Sequence, residues 1–161
     1  MQNAILASSD LLQDLANTPK LVAQLIDGVP KDFLNVRDSS QEFSIVENVC
    51  HLRDIEIEGY TSRIARILEE DHPALADIDG GRLAVERNYN SQNISEALRL
   101  FATARQKSVA LLTSLSPDQL AREGTLEGVG TVTINRLPTM MREHDAVHLA
   151  ELTRLSKAYR K

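Results

Sequence analysis

Apolar positions recur along the chain at intervals of three and four, the spacing of helices with one buried face. Over about residues 4–27 the repeat is Ile5, Leu12, Leu15, Val22 and Ile26. Thr18-Pro19 inside it reads as an N-cap followed by a first-turn proline, so this stretch is one kinked helix or a short helix followed by a longer one. Gly28 and Pro30 end it. A second helix is predicted over about residues 44–70. Ser44 and Glu47 form a capping box, and the stripe is Val46, Val49, Ile57, Tyr60, Ile64 and Ile67. Arg53 falls inside that stripe without an evident reason. Residues 71–90 hold Pro73, Gly80 and Gly81 and show no period, which marks a long connection that is either functional or loosely ordered.

The pattern resumes at Asn93, with Glu96 three residues on, and carries Ile94, Leu98, Phe101, Leu112 and Leu115 on one face. Ser116-Pro117 ends that helix and opens a short helical turn through Ala121. Residues 124–133 are rich in glycine, threonine and valine and read as a turn or small hairpin. A last helix over about residues 133–158 buries Leu137, Met140, Met141, Val147, Leu152 and Leu155, with Pro138 kinking it or delaying its start. Four long amphipathic helices in a chain of 161 residues imply an all-α fold, a single four-helix bundle spanning 1–161 with strand content near nil. The long connection after the second helix leaves room for a crossover.

Composition narrows the class. The net charge is −5 and no basic stripe is visible, which argues against nucleic-acid binding. No apolar run approaches the roughly 18 residues of a membrane span. The first ten residues lack a basic and apolar leader, and Cys50 is the single cysteine. These features lead to the expectation of a cytoplasmic protein.

The candidate chemistry lies in the histidines. His144 and His148, four apart, share one face of the last helix and fall within its apolar stripe, as does Glu151. Two imidazoles and a carboxylate in an apolar seam need partners. Either hydrogen bonds within the core or a metal ion supplies them. His144-Asp145-Ala146-Val147-His148 is similar to the zincin H-E-x-x-H, but Asp is a methylene shorter than Glu, and the chain ends without a third ligand beyond Glu151. A third ligand must come from elsewhere. His51 groups on the wheel with Glu47, Asp54 and Glu58, which reads as a solvated polar face, or else as a polar flank turned into the bundle with Asp54 or Glu47 orienting the ring. His72, before Pro73, reads as a surface residue. Cys50 points about 100° away from His51 and reads as packed rather than nucleophilic. A ferritin-like di-iron site needs two helical E-x-x-H pairs, which the chain does not supply.

Three segments resemble the DinB-like family, which is grouped with bacillithiol- and mycothiol-dependent transferases. They are Glu47-Asn48-Val49-Cys50-His51-Leu52-Arg53-Asp54, the stretch from Asn90 to Phe101, and Gly130-Thr131-Val132-Thr133 leading into the two-histidine motif. The resemblance implies a four-helix bundle in up-down-down-up order and often a homodimer. It also implies a divalent metal (nickel, zinc or iron) held by His51, His144 and His148. It further implies a small-molecule substrate, transformed by hydrolysis or with a low-molecular-weight thiol. Phe43-Ser44 stands where the family often has Trp, and Glu151 where it often has Gln. On this reading Asp54 and Glu47 orient the ligands, and Glu151 is a general base or an extra ligand. The alternative is a non-catalytic metal-binding stress or interaction protein, which would lack a pocket at the histidines.

Overall fold

Side-chain caps set the helix starts in the computed structural model, which describes residues 8–160. Helix α1 spans Ser9–Ile26, and the Ser8 hydroxyl accepts from the Leu11 N–H. Ile5 lies outside the described residues. The helix is one continuous element with Pro19 inside it, so Thr18 is not a cap. Proline has no N–H to bond the carbonyl four residues back. That carbonyl, of Leu15, accepts instead from Arg105 Nη1 at 3.0 Å. The Thr18 hydroxyl is buried and donates to Asp145 Oδ2 at 2.8 Å.

The second rod begins with the expected box: the Ser44 hydroxyl accepts from the Glu47 N–H, and the Glu47 carboxylate accepts from the Ser44 N–H. It comprises α2 (Ile45–Asp54), a π-helical stretch (Ile55–Thr61) and α3 (Ser62–Glu69). Bonding from i to i+5 takes more residues per turn and shifts the inward face. Glu56 and Tyr60 turn inward, while Ile57, expected in the buried stripe, is 40% exposed. Every residue of α2 is buried, so its polar side chains lie inside the protein rather than on a solvated face. Arg53 finds partners there: its Nε donates to Asp54 at 2.6 Å and its Nη1 to Gln92 at 2.8 Å.

Residues 71–93 are ordered rather than loose. They form a short strand β1 (Ala74–Leu75), a two-turn helix α4 (Gly80–Glu86) and a 3₁₀ turn (Tyr89–Ser91). Helix α5 (Ile94–Ser114) follows, with the Asn93 side chain accepting from the Glu96 N–H. The short α6 (Pro117–Leu120) comes next. Strands β2 (Glu123–Leu126) and β3 (Gly130–Thr133) pair antiparallel, and β1 adds to β2 in parallel, with Leu75 opposite Leu126. This three-stranded sheet exceeds the expectation of almost no strand. It exists because the crossover gives the hairpin edge a third segment to pair with. Helix α7 spans Leu137–Tyr159, with Pro138 in its first turn, where a missing N–H costs nothing.

The bundle runs up-down-down-up. Helices α1 and α7 are parallel: Thr18 meets Asp145, and the Arg160 guanidinium beyond the end of α7 reaches the Leu25 carbonyl. Helices α2 and α5 are parallel: Arg105 meets Glu56, and Thr61 meets Ser108. The two pairs are antiparallel to each other, with Ala23 near Leu98 but Leu12 near Leu112. Parallel neighbours in sequence force the chain to climb back along the bundle between them. Residues 70–93 make that climb.

Two apolar clusters fill the interior. One centres on Leu15, Ile64, Ile67, Ile134, Leu137 and Met141. The other centres on Val22, Ile45, Val49, Phe101, Leu152 and Leu155. Ile78 of the crossover packs against both. Arg105 joins them through a polar layer. Its Nη1 and Nη2 donate to the two oxygens of Asp145 at 2.7 and 3.0 Å, and Nη2 lies 2.9 Å from Glu56 Oε2. One buried cation thus ties α1, the π stretch and α7 to α5.

Candidate metal centre

His51 projects from α2, His144 and His148 from α7, and the three rings converge. One ligand-capable atom from each lies within 4.8 Å of the others. His51 Nε2 stands 3.0 Å from His144 Nε2. Ring centroids are 5.0 Å apart for His51 and His144, and 4.6 Å for each of the other two pairs. The polar-flank reading of His51 is the one that matches: α2 is buried all round, so its polar flank faces the bundle interior.

Asn48 fixes the tautomer of His148. Its Nδ2 donates to the Ser44 carbonyl at 3.0 Å, which leaves Oδ1 facing His148 Nδ1 at 2.7 Å. An amide oxygen can only accept, so Nδ1 carries the proton and Nε2 carries the lone pair. Burial holds all three imidazoles neutral. His51 and His144 are pushed down to about 3, reinforced by the neighbouring rings, and His148 down to about 4. Neutral imidazole is the form that binds metals.

A core histidine held by hydrogen bonds would have a partner at each ring nitrogen. His51 does not, because its Nδ1 is buried with no partner and its Nε2 meets only another imidazole. Two nitrogens bound tetrahedrally to one zinc at 2.0–2.1 Å would stand about 3.3 Å apart, close to the 3.0 Å between His51 and His144, and the three ligand atoms all lie within 4.8 Å of one another. The residues therefore fit a divalent cation.

The remaining residues sort by what they touch. Phe43 lies against His51 and His148, with ring centroids 5.3 and 6.5 Å away, covering one side of the site. Glu151 Oε2 lies 3.6 Å from His148 Nδ1, its side chain is 25% exposed, and burial raises its carboxyl above the usual range. Asp54 accepts from Arg53, Tyr89 (2.6 Å) and Arg87 (2.8 Å). Burial opposes its ionisation, but these bonds hold its carboxyl below the usual range. Glu47 is engaged by Arg37 and the Ser44 N–H. Neither carboxylate hydrogen-bonds a histidine ring. They brace α2 instead, and the orienting role expected of them falls to Asn48. Sequence reading missed it, although a polar residue one turn after the Ser44 cap, inside a buried helix, is the kind of signal that marks such a position. His72 is exposed, as expected, and bonds Thr125 at 2.9 Å. Cys50 is packed, and burial pushes its thiol up to about 11.

The crossover closes over the site. Gly80, the first residue of α4, rests on the His51 ring, where a Cβ would come within 2.6 Å of Nδ1. Only glycine allows that approach. Beside it a cavity of about 310 Å³ opens onto His51 and His144. No helix among the described residues is long and apolar enough to cross a membrane.

The fold and site define a four-helix bundle with crossed connectivity and a three-histidine centre between its second and last rods. The chain belongs to the DinB superfamily, whose sequence profile matches residues 14–152. Among solved structures it is similar to YfiT from Bacillus subtilis, described as a probable metal-dependent hydrolase with an unusual four-helix bundle topology. The TM-score is 0.84 at 21% identity, covering 92% of this chain and 85% of that one. No curated protein matches the sequence.

Proposed function

We propose that the protein is a divalent-metal-dependent enzyme that hydrolyses, or transfers to a soluble thiol, a small electrophilic substrate. The observation that carries this reading is the convergence of three neutral imidazoles, two of which, His51 and His144, line a cavity. His51, His144 and His148 would hold the ion. A divalent cation in such a site supplies Lewis acidity, bringing ionisation of a water or thiol into the neutral range. Cys50 is buried and its thiol is held protonated, so it does not serve as the nucleophile. Asn48 holds the His148 ring in the tautomer that leaves Nε2 free. Glu151, with its raised carboxyl, would take or return a proton at the His148 edge of the site. Phe43 and Gly80 of the crossover pack against the histidine rings and would limit the access of water to them. The cavity favours an enzyme over a non-catalytic metal-binding protein, which needs no substrate space.

Metal analysis of the purified full-length protein tests this. The expected result is about one zinc, nickel or iron ion per chain, lost in His51→Ala and His148→Ala variants that keep the wild-type circular dichroism. Wild-type metal content in His148→Ala, or failure of the wild type to bind any of the three ions, overturns the assignment. A panel of activated esters offered with water or with thiols then separates hydrolysis from transfer.

A further inference from the structure

Arg63, in the first turn of α3, is 8% exposed, yet its guanidinium is not satisfied. Its Nε is buried without a hydrogen-bond partner. Its Nη2 donates to the Ala76 carbonyl at 3.2 Å. The nearest carboxylate, Asp77, stands 3.8 Å away on a side chain 72% exposed, beyond hydrogen-bond reach and screened by solvent. The face of Tyr60 lies 5.7 Å from the guanidinium carbon. Arg105, whose Nε is likewise buried without a partner, differs at its other nitrogens, which meet two buried carboxylates and a carbonyl, whereas Arg63 has no buried carboxylate. A buried fixed cation with donors to spare awaits an anion.

The place for that anion is the cavity that Arg63 shares with His51 and His144. Tyr60 stands between the two ends, its ring centroid 6.3 Å from that of His144. Ile55, Ile78 and Met140 supply apolar wall. At about 310 Å³ the cavity is at the small end of ligand sites. It has room for about ten waters or a short organic molecule.

We infer that this cavity takes a small organic carboxylate, its acid group held by Arg63 and its apolar chain extending toward His51 and His144. This deepens the function proposed above by naming a substrate class, and it rests on that reading only for the chemistry at the histidine end.

Calorimetric titration with butanoate, against butyramide as its uncharged match, tests the inference on chelator-treated and on zinc-loaded full-length protein. Butanoate is expected to bind both forms, and butyramide at least tenfold more weakly. Arg63→Gln should lower butanoate affinity at least tenfold in both forms. Arg63→Lys, which keeps the charge but loses the planar fork, should fall between, and it carries the test if Arg63→Gln does not fold. Equal binding of butanoate and butyramide overturns the inference. So does butanoate binding that is unchanged by either substitution, or that occurs only with zinc present. If the protein binds no metal but the chelated form still selects butanoate through Arg63, the metal-enzyme reading fails and this inference stands.

Discussion

Replacing Arg105 by Met removes the most deeply buried cation among the described residues. The side chain is 2% exposed, and Glu56 and Asp145 beside it are as deeply buried. It makes a two-pronged contact with Asp145, a contact with Glu56 at 2.9 Å and a bond to the carbonyl that Pro19 leaves free. Met fills similar volume, so the loss is electrostatic rather than a cavity. Two carboxylates would be left without a counter-charge, and breaking a buried ion pair from one side costs about 3–5 kcal/mol. For a chain of this length that corresponds to a fall in Tm of about 6–20 °C. Urea denaturation at neutral pH, followed by circular dichroism, reads the change as a lower midpoint with unaltered slope. Adding Glu56→Gln and Asp145→Asn to the Arg105→Met background removes the stranded charges and should return part of the loss. A destabilisation under about 1 kcal/mol in the single variant would refute the reasoning, because it would mean the carboxylates are not dependent on the guanidinium.

Asn48→Leu removes the acceptor that fixes the His148 tautomer and should weaken zinc affinity about 10–100-fold by competition with a chromogenic chelator, whereas Asn48→Asp, which keeps an acceptor, should retain most of it. Equal affinity in Asn48→Leu and wild type would show that the contact does not orient the ring. Metal-free protein should lose stability as pH falls below about 6.5, where the unfolded histidines take up protons and the folded ones, with pKa values of about 3, 3 and 4, do not. The contribution is complete above that pH. It is lost on acidification at up to about 4 kcal/mol per unit if all three rings act, so urea midpoints that do not move between pH 7 and pH 5 would contradict it.

Local chemistry along the chain determined much of this protein. The apolar repeats gave four long helices, Ser44 with Glu47 capped the second, and Ser116-Pro117 and the glycine-rich stretch marked the short helix and hairpin, because these signals act within a few residues. The pairing of His144 with His148 was legible for the same reason: four residues on one helix are one turn.

What depends on distant contacts was decided only by the tertiary structure. The face His51 presents is ambiguous on a wheel, and burial of α2 on all sides settles it. Pro19 reads as a helix start until Arg105, far along the chain, takes up the carbonyl it frees. The π stretch that exposes Ile57 leaves no periodic trace, and residues 71–90 look structureless because their order comes from pairing with β2 and from Gly80 lying on His51. Asn48 acquires its meaning from His148 on the last helix, and Tyr60 and Arg63 from a cavity assembled by the second rod, the crossover, the hairpin and the last helix. Side-chain spacing along one helix reports a direction, but the charge, donor or ring waiting in that direction belongs to another part of the chain.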